Sequence, residues 1–501
     1  MLHKGFQPLT TFRSPGERYR LLPFRFMRWD ATEALLVNDV GELCFLPNEK
    51  LALLSRGALS REDPIFRELQ AKHMVCDAGA TLPLELLATK YRTKMAHLAG
   101  FSKLHMFVVT LRCEHSCRYC QVSRATEDRA RFDMSPETAR KAVDLMFCSP
   151  SKALKVEFQG GEPLLHFDLL RSIVESVEDR NEVEQRDLQL VVATNLVPLT
   201  DEILSFLGEH RVHVSTSLDG PEPLHNANRP RPGNDSHQRV VANLQRVREA
   251  LGKDAVSAIM TTTERSFRYP HEIVDEYVRL GFASIFVRPI SPYGFAVRTG
   301  EAALYQMDQF LEFYQDILNY IFEINRRGTP FLEVYAQILL SKILTPFAQG
   351  YVDLQSPAGA AIGCVAYNYD GRVFASDEAR MLAEMGDESF CLGRVEDGYQ
   401  ALFAGEIAQA LAAGTVLEAL PGCSDCAFLP FCGADPVYHH RIQGDIVGHK
   451  PTSPFCHKNM SILRFLLNLY RTGDAFTRSL LTEWATGSTG IDRGTCGGLQ
   501  A

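Results

Sequence analysis

The chain has 501 residues, 46% of them hydrophobic, and its 52 Lys and Arg against 61 Asp and Glu give a net charge of −9. That length suits two to four domains with well-filled cores, and the interspersed, slightly acidic charge gives no global basis for nucleic-acid binding. No uncharged run reaches the roughly eighteen apolar residues that cross a bilayer, so no membrane association is expected.

The opening stretch MLHKGFQPLTTFRSPGERYR lacks the apolar core of a signal peptide. The thirteen cysteines are therefore expected as reduced thiols in a cytoplasm, serving metal or cluster chemistry. Phe24 to Met27, Ala34 to Val37 and Leu43 to Leu46 read as short strands, the last two joined at Asn38-Asp39-Val40-Gly41. Helices follow at Asn48 to Leu53, Pro64 to Lys72 and Leu82 to Leu98, so residues 1–100 form a small α+β unit.

From about 101 to 300 strand and helix alternate. Leu104 to Arg112 is a β-rich run, and Ser135-Pro136-Glu137 opens a helix with a cap, a first-turn proline and an acid. Leu154 to Gln159, Leu188 to Asn195, Val212 to Asp219, Ala255 to Thr263 and Phe282 to Ile290 complete six strands, separated by amphipathic patterns such as His237 to Leu251 and His271 to Leu280. Such an α/β series predicts a parallel sheet whose chemistry gathers at the strand C-terminal ends. Met307 to Arg327 and Val334 to Leu344 form a helical connector over 301–350. A Cys-, Gly- and Pro-rich region then occupies 351–470, and 471–501 is a helix and tail, the tail expected from about 484 and carrying Cys496.

Directly after the first strand stands Cys113-Glu114-His115-Ser116-Cys117-Arg118-Tyr119-Cys120. This CxxxCxxC spacing offers an iron–sulfur cluster three thiolates and leaves one iron open, whereas electron-transfer clusters take four cysteines. Zinc sites favour CxxC pairs closed by a second pair, which this loop lacks. One strand–helix unit later, Gly160-Gly161-Glu162-Pro163 combines glycines that let backbone approach a ligand with a carboxylate able to take a cationic amine. Asn195, Ser215 and Ser217 end the third and fourth strands with an amide and hydroxyls, and Arg288 ends the sixth. Strand-end capping is the plainer reading of each. Further on, Cys423, Cys426, Cys432 and Cys456 form CxxCx5C with a later fourth thiolate, a set suited to a closed 4Fe-4S cluster or to structural zinc.

The cysteine triplet with GGEP and SLDGPEPLHNANRP resembles the radical S-adenosylmethionine (SAM) superfamily, in its peptide- and protein-modifying branch. That resemblance implies a partial (β/α)6 TIM-like barrel, a SAM-binding 4Fe-4S cluster on Cys113, Cys117 and Cys120, and SAM held by Gly160, Gly161, Glu162, Pro163, Asn195, Ser215, Ser217 and Arg288. It implies a C-terminal SPASM-like region with one auxiliary 4Fe-4S cluster on Cys423, Cys426, Cys432 and Cys456. The usual further ligands are replaced by Ser376 and Pro436, leaving Cys364 a stray or redox-active thiol, with Cys391 nearby. Asp377 lies where related sulfatase maturases carry a catalytic base, and a surface carboxylate is the alternative. The N-terminal unit resembles peptide-recognition domains, a structural cap being as good a reading. Cys44, Cys76 and Cys148 sit in apolar segments and carry no assignment.

The strings LLPFRFMRWD, LLVNDVGELCFL, LRCEHSCRYCQVSR, KVEFQGGEPLLHFD and RPISPYGFA look like the radical SAM maturases of His-Xaa-Ser repeat peptide systems, HxsB type. What that implies is an oxidoreductase-type maturase of a ribosomally made precursor peptide, working with an electron donor protein and a second radical SAM partner. Oxidation of Ser or Cys to formylglycine, as in anaerobic sulfatase maturases, is one alternative, and a non-enzymatic iron–sulfur or zinc scaffold is the other.

Overall fold

The computed structural model describes residues 19–126, 128–347 and 350–487. The chain divides into two compact units. The first comprises the described residues up to His97 together with Pro346, Phe347 and Glu418–Cys432. Its strands Phe24–Arg28, Glu33–Asn38 and Leu43–Pro47 make an antiparallel meander. At the second turn the Asn38 side chain accepts from Val40 N (3.1 Å) and Glu42 N (3.0 Å) while Gly41 takes φ +93°, the geometry that Asn and Gly favour. Leu36, Leu46, Leu54, Phe66 and Leu69 form the core against the Asn48–Ser55 and Pro64–Ala71 helices. The Glu418–Cys432 segment packs on this unit: Arg25 reaches both Asp39 and the Ser424 carbonyl at 2.5 Å, and Tyr91 donates to Glu418 at 2.9 Å. In the sequence reading that segment falls inside a 351–470 domain.

The second unit is built on a nine-stranded sheet. Leu104–Thr110, Ala153–Gly160, Asp187–Thr194, His213–Ser217, Val256–Thr261 and Val287–Arg288 lie side by side in chain order and all pair parallel. This is the expected α/β architecture, an open parallel sheet consistent with a partial TIM barrel. Phe107, Val109, Val156, Phe158, Val192 and Val214 bury one face against Val143, Met146, Leu170, Ile173 and Val247 of the crossover helices. The last expected strand, Phe282 to Ile290, is in fact two: Ser284–Ile285 pairs with Leu332–Glu333, and Val287–Arg288 pairs with Val256–Thr261. The buried Glu333 carboxylate sits at the break, where it accepts Val287 N (3.1 Å) and the Tyr314 hydroxyl.

At its other edge the sheet is longer than the sequence suggests. Cys364–Tyr367 pairs parallel with Leu104–Thr110, and Arg372–Phe374 and Cys391–Arg394 add antiparallel strands beyond it. Cys364 is 1% exposed, with its sulfur against the Gly359 and Ala375 carbonyls at 3.7 and 3.6 Å. Burial pushes its thiol well above the usual range, so it is a packing residue and not a redox-active thiol. Cys148 is exposed, unlike Cys44 and Cys76. The C-terminal helix Ala475–Thr486 buries Trp484, which moves the start of any tail past the expected residue 484; Cys496 lies outside the described residues. Among the described residues no helix is long and apolar enough to cross a membrane.

Candidate functional site

A cavity of about 230 Å³ lies at the C-terminal ends of the parallel strands, lined by Cys113, Cys117 and Cys120 together with Gly160, Gly161, Asn195, Ser215, Ser217, Arg288 and Asp377. Strand order thus brings together residues that span 264 positions of sequence from Cys113 to Asp377.

The cysteine loop is held by buried polar contacts from later parts of the chain. Tyr119 donates its hydroxyl to the fully buried Asp219 (3.0 and 2.8 Å), Arg229 pairs with Asp219 at 3.2 Å, and the Arg229 guanidinium stands 5.3 Å from the Tyr119 ring centre. Ser116 N donates to the Pro230 carbonyl at 2.8 Å, and Phe295 N to the Cys120 carbonyl at 2.7 Å. Gly294, φ +57°, allows that second contact: a Cβ there would meet the Gln121 carbonyl oxygen at 2.4 Å. The SLDGPEPLHNANRP and RPISPYGFA strings therefore work as clamps on the loop.

GGEP acts differently from the expectation. A Cβ on Gly160 would lie 2.0 Å from Thr110 O, and one on Gly161 2.3 Å from Arg112 O. The two glycines let the second strand's end close against the backbone that leads into Cys113. The Glu162 carboxylate, 0% exposed, faces the protein: it accepts from Thr194 Oγ1 (2.6 Å), Asn195 N (2.7 Å) and Leu164 N (3.0 Å). Burial pushes its pKa up to about 8 against the pull of those donors. Glu162 thus fixes the third strand's end and is not among the residues that line the cavity, and Pro163 is buried at the start of a short 3-10 helix. Gly161→Ala should drive a methyl into the loop backbone, lower the thermal midpoint of the metal-free protein by several degrees and halve the iron retained after reconstitution. Iron assay and calorimetry check both.

Asn195 stands between strand end and loop: its Oδ1 accepts Val197 N at 2.9 Å, and its Nδ2 lies 3.9 Å from Cys113 Sγ and 3.1 Å from His115 Nδ1. His115 Nε2 meets Ser236 Oγ at 2.8 Å. Cys113 Sγ, a Glu114 oxygen and a His115 nitrogen fall within 4.8 Å of one another, yet both His115 nitrogens are engaged within the protein, which disfavours a mononuclear metal there. Three soft thiols around an open space, with the buried Thr216 Oγ1 on the same wall and Glu114 Oε2 in the loop lacking protein partners, fit an iron–sulfur cluster with a polar ligand beside it. Burial raises the Cys117 thiol to about 12 and the Cys113 thiol well above its usual value, so metal binding there must release protons.

Asp377 lines the cavity in the first turn of the Asp377–Ala383 helix, which Ser376 caps by accepting Ala379 N at 3.2 Å. Its Oδ1 takes both Arg380 Nε (3.0 Å) and Nη2 (2.9 Å), and Arg380 is fully buried. Cys423, Cys426 and Cys432 wind through a turn-rich loop of the first unit, with Cys426 N donating to Cys423 O at 3.0 Å and Cys432 N to Phe428 O at 3.1 Å. Cys456 belongs to the second unit, in the first turn of the Pro454–Thr472 helix.

Among the wall residues that the sequence reading did not single out are Glu157 and Gln159. Their signal was present: Lys155, Glu157 and Gln159 alternate with Val156 and Phe158, and a strand covered on both faces carries alternate polar residues only where one face is a polar interior.

Residues 107–276 match the family model of the radical SAM superfamily. This segment is a radical SAM domain. The domain contains the cysteine loop, GGEP and the strand ends that carry Asn195, Ser215 and Ser217. An uncharacterized protein of Methanocaldococcus jannaschii is 32% identical over 114 residues, 23% of this chain and 37% of the relative. The radical SAM cyclopropyl synthase TigE of Paramaledivibacter caminithermalis is 23% identical over 186 residues, 34% of this chain and 38% of the relative. The chain thus spans well under half the length of these two relatives. Native anSMEcpe with bound AdoMet superposes at TM-score 0.58 and 16% identity, covering 74% of this chain and 100% of that one. Streptococcus suis SuiB bound to precursor peptide SuiA gives 0.51 at 13% identity, covering 87% and 98%. At such identities the likeness establishes the fold of the radical SAM domain and its surroundings.

Proposed function

We propose that the chain is a radical SAM enzyme that modifies a ribosomally made precursor peptide carrying His-Xaa-Ser repeats. The observation that carries the chemistry is the convergence of Cys113, Cys117 and Cys120 on one cavity with the Gly160–Gly161 backbone, Asn195 and Ser215. When bound, a 4Fe-4S cluster and SAM supply a 5′-deoxyadenosyl radical able to take a hydrogen atom from a substrate carbon. The three cysteines hold the cluster. Asn195, Ser215 and Ser217 offer the amide and hydroxyls to SAM, with the Gly160–Gly161 backbone in place of the Glu162 carboxylate at its amine. Asp219, Tyr119 and Arg229 keep the loop in one geometry, which orients the reacting partners.

Cys423, Cys426 and Cys432 supply three thiolates to an auxiliary 4Fe-4S cluster. The peptide substrate is supported by the peptide-bound SuiB neighbour and by the strings that resemble His-Xaa-Ser maturases. Reconstituted enzyme given SAM, a reductant and a His-Xaa-Ser precursor peptide should form 5′-deoxyadenosine together with a mass-shifted peptide. A peptide recovered unchanged, with 5′-deoxyadenosine formed, would refute the substrate assignment.

Formylglycine formation is the second reading, favoured by Asp377 on the cavity wall and by the likeness to anSMEcpe. It requires a sulfatase-derived Ser peptide to lose two hydrogens, or a Cys peptide to lose two hydrogens and exchange its sulfur, as sulfide, for an oxygen of water, each a two-electron oxidation that mass spectrometry reads directly. Here Arg380 already occupies one Asp377 oxygen with two hydrogen bonds, so that oxygen is engaged within the protein.

A further inference from the structure

A second, smaller cavity of about 60 Å³ shares Arg288 with the first and holds none of the cofactor residues apart from it. Gly433 creates it. A Cβ there would fall 2.3 Å from Leu354 Cα and 2.5 Å from Asp353 O, and Ala434 N donates to the Gln355 carbonyl at 3.2 Å. This close approach sets Asp435 and Asp353 on the same cavity, walled by the aromatic rings of Phe286, Phe310, Tyr351 and Tyr438. Asp435 Oδ1 also accepts Tyr438 N at 2.9 Å, capping the Pro436–Gln443 helix. The cavity's cations are Lys458, whose Nζ stands 5.0 Å from the Tyr335 ring centre, and Arg288, 5.8 Å from that of Phe286.

We propose that this chamber receives an imidazole side chain of the peptide substrate and so presents the neighbouring residue to the radical SAM cavity. The inference rests on the peptide reading above. Its volume of about 60 Å³ suits a small side chain better than an indole or a purine. Two carboxyl groups against one guanidinium and one ammonium leave the lining formally neutral, so it selects neither a permanent cation nor an anion. A flat ring between aromatic walls, with one nitrogen donating and the other accepting, satisfies both features.

The test has two arms on the reconstituted holoenzyme with SAM present, so that SAM and not the probe takes the open iron. In the first, 4-methylimidazole is followed by saturation-transfer NMR on the wild type and on Asp435→Asn, which keeps a helix-capping side chain. Transfer on the wild type that falls at least fivefold in the variant is expected; no transfer, or equal transfer in both, overturns the proposal. In the second, a labelled peptide with one His-Xaa-Ser unit and its His-to-Ala counterpart are compared by fluorescence anisotropy. The wild type should bind the His peptide at least tenfold more tightly, and Asp435→Asn should bind the two within twofold. Equal affinities on the wild type overturn the proposal. Binding of neither peptide, with 4-methylimidazole still transferring, overturns the His-Xaa-Ser reading and upholds an imidazole-binding chamber.

Discussion

Cys117→Ala is expected to abolish SAM cleavage and to lower the iron of the reconstituted protein from about eight per chain to about four. Cys117 lines the cavity beside Cys113 and Cys120, and two nearby donors are already engaged: His115 is bonded through both nitrogens, and Tyr119 is spent on Asp219. The metal-free variant should fold normally, because removing the thiol of the half-buried Cys117 leaves the clamps on the loop intact. Iron and sulfide counts with chromatography of 5′-deoxyadenosine give the answer, and Cys148→Ala, on the exposed cysteine outside the site, is the unchanged control. About twelve irons in the wild type would contradict the assignment of one auxiliary cluster.

Asp219→Ala should be the most destabilising single change near the site. Asp219 is fully buried, carries the only carboxylate facing Arg229 among the described residues, and accepts the Tyr119 hydroxyl. Its removal leaves a buried guanidinium uncompensated, at a cost of about 3–5 kcal/mol. Tyr119→Phe leaves the ion pair and should cost only about 1–2 kcal/mol. Thermal unfolding of the metal-free proteins separates this from any loss of cluster. An Asp219→Ala midpoint within a degree or so of wild type would show that the Asp219–Arg229–Tyr119 cluster is not what holds the loop.

The six parallel strands were legible because Val, Ile and Phe runs alternate with capped amphipathic helices, and the cysteine triplet fell where strand order places it. What the sequence hid was tertiary. GGEP reads as a ligand-binding turn, but its glycines are required by the carbonyls of Thr110 and Arg112, a contact across fifty residues. Glu162 reads as an amine ligand, but three donors from the third strand and its own turn claim it. Cys364 looks like a stray ligand until its strand joins the sheet edge at Leu104. The Cys423–Cys432 loop reads as part of a C-terminal domain, yet Arg25 at the Ser424 carbonyl and Lys94 at the Pro430 carbonyl tie it to the first unit. Local patterns carry element identity, whereas a side chain's direction depends on which distant backbone arrives beside it.

The central claim is that the Cys113/Cys117/Cys120 cavity generates a radical that is spent on a peptide. Deuterium transfer tests it most directly: a His-Xaa-Ser precursor peptide, deuterated at its carbon-bound positions, is turned over and the 5′-deoxyadenosine is weighed by mass spectrometry. Deuterium in 5′-deoxyadenosine, in step with modified peptide and absent with Cys117→Ala, is the expected result. Unlabelled 5′-deoxyadenosine, or none from a protein with its full iron content, would contradict the account.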